Sequence, residues 1–267
     1  ALNALLASPI VLPSIPKVVA LLLSELDREV PDLKNITQLI STDPALTTRV
    51  LQTANTPMFR LSGKVNSASE ALAILELSHI RQMAADAASA ASLKGIPGIS
   101  LPQFWVYSLN VAKLARSLAG VTRQNQGAAF TCGLIHAIGE LVMHAGMPAE
   151  MALLNKEIGA LDLKRAKAEF LRFGYNYAHV GAAYARQWHF PQPIVDALEH
   201  QYAPFSNNVY EPLAGVIHLA TWRARAREAK LNERALAVTF PGEVGEVLDL
   251  DIDMVLQQDP FDWSAHT

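Results

Sequence analysis

The sequence predicts an all-α protein, and three observations predict it. Apolar residues make up 51% of the 267 residues, mostly Ala and Leu with only 7% aromatic, a balance that favours packed helices. Apolar positions recur at helical spacing, and the segments that carry them have helix-start and helix-stop residues at their ends. No convincing run alternates apolar and polar residues as a half-buried strand would.

In chain order, Pro16 opens VVALLLSEL, and near Asp32 a second helix begins with Leu33, Ile36, Leu39 and Ile40 on one face. Asp43 caps TDPALTTRVLQTAN, and Pro44 suits its first turn. Asn55, before Thr56-Pro57, ends that helix through a backbone hydrogen bond. Ser67 and Glu70 have the spacing of a capping box for ALAILEL. Gly95 to Pro102, with two Gly and two Pro, is the clearest break. It separates an N-terminal lobe of about residues 9–94 from a second lobe of about 101–205, and residues 206–267 form a C-terminal helical extension on the same domain. The second lobe opens with FWVYSLNVAKLARSLA and continues in a long helix from about Gln126 to Ala145. Asp162 suits the cap of LKRAKAEFLRF, and Gly174 its end. YAHVGAAYARQW and PIVDALEHQY follow, then the polar loop SNNVYEP and a final helical region. LAVTF fits either structure type.

Charge and composition exclude several classes. A formal net charge of −3 gives no global attraction to nucleic acid or anionic lipid. The single cysteine, Cys132, excludes an intramolecular disulfide and fits a reducing cytoplasm. No apolar run reaches the roughly 18–20 residues that span a bilayer, and no signal-peptide pattern is visible. No Gly-rich phosphate loop or nucleophile elbow is present.

The order of motifs resembles the HDOD family, a bacterial signalling relative of the HD phosphohydrolases. LPSIPKVVALLL resembles the family's opening Leu-Pro-x-x-Pro. ISTDPALTTRVLQTANTPMF resembles its signature through Asp43, Pro44, Leu46, Leu51, Asn55 and Phe59. FWVYSLNVA, GLIHAIGELV, HVGAAYARQWHFP and IVDALEHQYAP follow in the family's order. The resemblance covers roughly residues 9–205. One departure is Leu75-Glu76, where the family often has Leu-Gly. The resemblance implies an HD-like multi-helical bundle in two lobes. It also implies a non-catalytic regulatory module that works with signalling proteins of two-component or cyclic di-GMP pathways, without cofactor.

An HD phosphohydrolase holds divalent metal with several His and an adjacent His-Asp pair, because imidazole and carboxylate fix the cation that generates hydroxide. Against that pattern, Tyr107 stands at the first His position and the pair reads His136-Ala137. Tyr177 stands at the next His position, Gln201 and Tyr202 at a later pair, and Thr221 near the last acidic ligand. His179 and His200 fall close to these positions without filling them. Cys132 and His136, four apart, could offer a thiolate and an imidazole to zinc, but two ligands are too few. The residues therefore read as a degenerate metal site, with His136 a hydrogen-bonded core histidine and the two tyrosine rings filling the metal's volume. Two other readings stay open: a divergent metal-dependent phosphohydrolase on a nucleotide or phosphoester, and a nucleotide-sensing module without hydrolysis.

Three further features read as structural. Arg223, Arg227 and Lys230 lie on one helix face in the most basic stretch, which reads as solvated. Asp43 reads as a cap rather than a catalytic acid. The acidic tail DLDIDMVLQQDPFDW lacks the oxygen spacing of a calcium loop.

Overall fold

A computed structural model of the chain describes residues 2–91, 95–206 and 208–259. Among these the secondary structure is helical, with no strand. The N-terminal helices are α1 (Leu2–Ala7), α2 (Pro16–Leu26), α3 (Leu33–Ser41), α4 (Pro44–Ala54), α5 (Ala68–Ile74) and α6 (Leu77–Ala91). After the 95–100 loop come α7 (Leu101–Val121), α8 (Gln126–Ile135), α9 (Ile138–Gly146), α10 (Pro148–Glu157), α11 (Arg165–Phe173), α12 (Tyr177–Gln187) and α13 (Gln192–His200). The chain closes with α14 (Pro212–Glu228), α15 (Glu233–Thr239), α16 (Gly242–Val247) and α17 (Ile252–Gln257). Residues 92–94, Asn207 in the SNNVYEP loop and the Pro260–Trp263 part of the acidic tail lie outside the described residues.

The motifs of the N-terminal half are joined by two buried polar side chains. Asp43 caps α4, its Oδ1 accepting from Leu46 N at 2.9 Å, while its Oδ2 accepts from Ile15 N at 2.7 Å. One carboxylate thus ties the LPSIP entry segment to the head of α4. Asn55 ends α4 and clamps Val65 in both directions, donating to its carbonyl and accepting from its N–H, each at 3.1 Å. Ser67 caps α5, but Glu70 reaches back to Asn66 N at 2.6 Å rather than to Ser67, so the expected capping box is shifted by one residue. Glu76 has no positive φ, so the position where relatives often carry Gly makes no demand for it here.

Beyond the break, α7 and α8 pack most closely, and α12 packs on α9 and α13. Helix α14 lies across α7, α13 and α8, and α16 and α17 rest on α14. The long helix expected from Gln126 to Ala145 is two helices, because α8 ends at His136 and α9 starts after Ala137. Its cause is local: His136 Nδ1 takes the carbonyl of Gly133 at 2.6 Å, which removes that acceptor from the helical ladder. Taken together, Gln126–Gly146 does meet the length and apolarity of a membrane span, unlike the reading from sequence, but 89% of its most apolar window is buried inside the protein. Asp162 does not cap α11; it accepts from Lys164 N at 2.8 Å in a turn ahead of a helix that starts at Arg165. LAVTF resolves as helix through Thr239.

Two glycines of GLIHAIGELV set the spacing. A Cβ on Gly133 would stand 2.7 Å from Ala112 Cα, and a Cβ on Gly139 would stand 2.1 Å from the Tyr177 carbonyl oxygen. Neither neighbour is a flexible side-chain end, so backbone would have to move. Gly139→Ala is expected to destabilise the fold by about 1–3 kcal/mol or more. Gly242→Ala, where nothing lies within 4 Å, should be neutral or stabilising. Thermal melts of the two variants beside the parent protein check the contrast.

Candidate functional site

His136 sits at the α8–α9 turn with 0% exposure. Its ring is fixed at both nitrogens: Nδ1 lies 2.6 Å from the Gly133 carbonyl and Nε2 2.8 Å from the Tyr107 hydroxyl. A carbonyl only accepts, so Nδ1 carries the proton and Nε2 accepts from Tyr107. The Tyr107 oxygen accepts in turn from Arg225 Nε at 2.8 Å. The chain of donors therefore runs Arg225 to Tyr107 to His136 to Gly133, with every proton assigned. Burial, and then the Arg225 charge, push the His136 pKa down to about 3, so the ring is neutral. Burial also raises the Tyr107 pKa, which keeps its hydroxyl protonated.

Arg225 is the residue that sequence reasoning missed. It is buried, with the Tyr107 and Tyr177 rings 5.2 and 5.1 Å from its guanidinium carbon. Nη1 donates to the carbonyls of Ala160 at 3.1 Å and Asp162 at 2.9 Å. The basic stretch is therefore not simply a solvated face: Arg227 and Lys230 are exposed, Arg223 pairs with Asp259, and Arg225 points inward. A signal was available. His218, Thr221, Trp222 and Arg225 recur at i, i+3, i+4 and i+7, which places all four on one face of α14.

Most of the predicted positions do come together. Tyr177, Gln201, Tyr202 and Thr221 line one cavity of about 330 Å³ with Arg225, and Tyr107 and His136 lie behind Arg225. Gln201 Nε2 donates to the His136 carbonyl at 3.0 Å. Ala137 is buried at the start of α9. The remaining candidates lie elsewhere. Cys132 is buried with its sulfur 3.9 Å from the Ile194 carbonyl, and burial raises its thiol pKa. His179 closes the N-terminal box of α12 by accepting from Asn176 N at 3.1 Å. His200 lies near Glu199 and Glu211, at 3.9 and 3.8 Å.

A second buried polar cluster was also missed. Arg165 Nε donates to Glu169 at 2.8 Å, and its Nη2 lies 2.8 Å from Glu140, an ion-pair contact outside hydrogen-bond geometry. Arg165 Nη1 donates to Asn155, whose amide donates to His144 Nε2 at 3.0 Å. Burial, and then the neighbouring Glu140, push the Glu169 pKa up, and the two carboxylates face one guanidinium. Glu140 belongs to GLIHAIGELV, where a lone acid in an apolar run signals a buried partner.

The donor set does not fit a divalent metal. Among the described residues no group of three or more His, Cys, Asp or Glu could hold one. Both His136 nitrogens are committed, and the nearest charged group on the Tyr107 hydroxyl is itself a cation.

Residues 12–204 match the HDOD domain family. The chain belongs to that family. An uncharacterized Treponema pallidum protein is 25% identical over 202 residues, covering 74% of this chain and 39% of that protein. The chain thus spans well under half the length of this relative. Two solved structures of the MmoQ response regulator from Methylococcus capsulatus are similar. One is 24% identical with a TM-score of 0.73 over 93% of this chain and 98% of that one; the other, a fragment, is 26% identical with a TM-score of 0.67 over 85% and 88%. An HDOD domain protein from Geobacter sulfurreducens is 20% identical with a TM-score of 0.53, over 96% of this chain and 91% of that one. Together these make the chain an HD-like helical HDOD protein.

Two outcomes test the donor chain. Tyr107→Phe leaves His136 Nε2 and Arg225 Nε without partners in the core and should cost about 2–4 kcal/mol, measured by chemical denaturation. His136 is protonated in the unfolded chain below its ordinary pKa of 6.5 but not in the folded one until about 3. Its contribution is therefore fully present above pH 6.5 and is lost as pH falls through that window. His136→Asn should make stability fall less steeply between those limits, by about 1.4 kcal/mol per pH unit. An unchanged slope would mean that His136 titrates normally.

Proposed function

We propose that this HDOD protein is a non-catalytic regulatory module that acts by binding a signalling protein. The observation that carries the reading is the Arg225–Tyr107–His136 chain, which puts a permanent cation and two aromatic rings where an HD enzyme gathers metal donors. Tyr107, His136, Ala137, Tyr177, Gln201, Tyr202 and Thr221 are, on this reading, the positions of a degenerate HD site. The likeness to a response regulator supports a place in two-component or cyclic di-GMP signalling. We place the module in the cytoplasm, as its one buried thiol suits, and assign it neither nucleic-acid nor membrane binding.

The proposed lobes of about 9–94 and 101–205 offer a partner surface at their junction. Beside the 95–100 loop that links them lies a cavity of about 330 Å³, lined by Gly98, Ser100, Gln103, the 159–162 segment and Glu228 of α14. A partner footprint lying wholly on the opposite face would overturn this placement.

Activity gives the direct test. The full chain is assayed against p-nitrophenyl phosphate and its bis-ester with added manganese, ferrous iron or magnesium. The expected rate equals that of metal alone. A metal-dependent rate that His136→Ala abolishes would replace the regulatory reading with the phosphohydrolase one.

A further inference from the structure

Three of the residues that line the cavity beside Arg225 each carry a polar atom that the protein leaves without a hydrogen-bond partner. They are Arg225 Nη2, Gln201 Oε1 and Thr221 Oγ1, each buried from solvent. Native interiors satisfy such atoms, and each orphan costs about as much as a lost hydrogen bond. Arg225 is the most demanding of the three. Its guanidinium is permanently charged, and among the described residues no carboxylate forms an ion pair with it. Buried Arg165, by contrast, has two carboxylates. The Glu140 charge reaches Arg225 only from beyond ion-pair distance, so this buried cation has no directly paired carboxylate, an arrangement that costs free energy.

We infer that this cavity is a binding site for a small-molecule oxyanion, a carboxylate or phosphate group on a metabolite-sized body, received by Arg225 Nη2. The other two atoms define the rest of the ligand. Gln201 Oε1 only accepts, because its amide nitrogen already donates to the carbonyls of His136 and Leu198, both at 3.0 Å. The ligand therefore carries a hydroxyl or amino donor as well as the anion. Thr221 can serve either group. Tyr177, Tyr202 and Trp222 supply flat apolar walls for the body, and a volume of about 330 Å³ is at the lower end of small-molecule pockets. Lys164 stands exposed at the rim, where its charge adds to the attraction. The site deepens the regulatory reading, and rests on it, by giving the module a chemical input.

The test is a set of thermal melts of the full chain at constant ionic strength. Inorganic phosphate, glycolate and adenosine 5′-monophosphate are each added at about 10 mM, beside sodium chloride and uncharged adenosine. At least one anion should raise the melting temperature by about 2–4 °C, as a dissociation constant near 1 mM would, while adenosine should not. Phosphate against glycolate separates the two oxyanions. Thr221→Leu fills the cavity without touching the three existing bonds of Arg225 and should abolish the shift. Thr221→Asp places a carboxylate one turn from Arg225 and should abolish it too. No shift with any anion in the parent protein would overturn the site, whatever the variants do. So would a shift that survives in both variants, or one that adenosine matches. Hydrolysis of the nucleotide in the same samples would instead sink the non-catalytic reading and leave the site standing. Absence of a shift leaves the partner-binding reading intact.

Discussion

The rest of the second half of the molecule depends on two close backbone contacts on either side of His136. Gly133 lets α8 touch α7 at Ala112, and Gly139 lets α9 touch the first turn of α12 at Tyr177. Those contacts hold Tyr107 and Tyr177 beside the His136 ring, both edge-on, at centroid distances of 5.3 and 6.4 Å. They also expose the Gly133 carbonyl to the His136 side chain, which ends α8 and turns the chain into α9. A side chain at Gly133 would push α7 from α8 and strain the Tyr107 bond to Nε2, and one at Gly139 would push α12 from α9.

Electrostatics then sorts the buried groups into two kinds. In the Arg225–Tyr107–His136 chain each donor has one acceptor, the histidine is held neutral and the tyrosine protonated, so nothing in it titrates near neutral pH. It works as rigid scaffolding. The Glu140–Arg165–Glu169 cluster is different, because two carboxylates face one buried guanidinium, and burial with the neighbouring Glu140 raises the Glu169 pKa. One is held by hydrogen bonds and the other by an ion pair, although both are anchored in the α8–α9 segment.

The sequence was legible wherever one residue makes one local contact. Asp43, Asn55 and Gly174 each sit at a helix boundary that their own chemistry dictates. It was less legible where a side chain competes with the backbone. Neither the His136 turn nor the late start of α11 follows from apolar spacing, because both depend on one hydrogen bond to a carbonyl or amide a few residues away. At the site, the family pattern pointed to Tyr177, Gln201, Tyr202 and Thr221, which share a cavity. It offered no place for Arg225, since a pattern of ligands says nothing of a residue that is not one. An arginine flanked by Ala224 and Ala226, and two residues from Arg223 and Arg227, lies on the opposite helix face from both. Helical geometry sets Arg225 apart from Arg223, Arg227 and Lys230, but the sequence does not show what the other face meets.

The two cavities share a wall, and this constrains how the module could switch. Segment 159–162 lines the one beside Gly98, and its carbonyls at Ala160 and Asp162 grip Arg225, which lines the other. Of the guanidinium nitrogens, Nε and Nη1 are already engaged, so an anion takes Nη2 and breaks no existing bond. Binding there would leave the Nη1 bonds to the Ala160 and Asp162 carbonyls in place. A switch of this kind needs no large rearrangement of helices, which suits a core whose backbones already touch at Gly133 and Gly139.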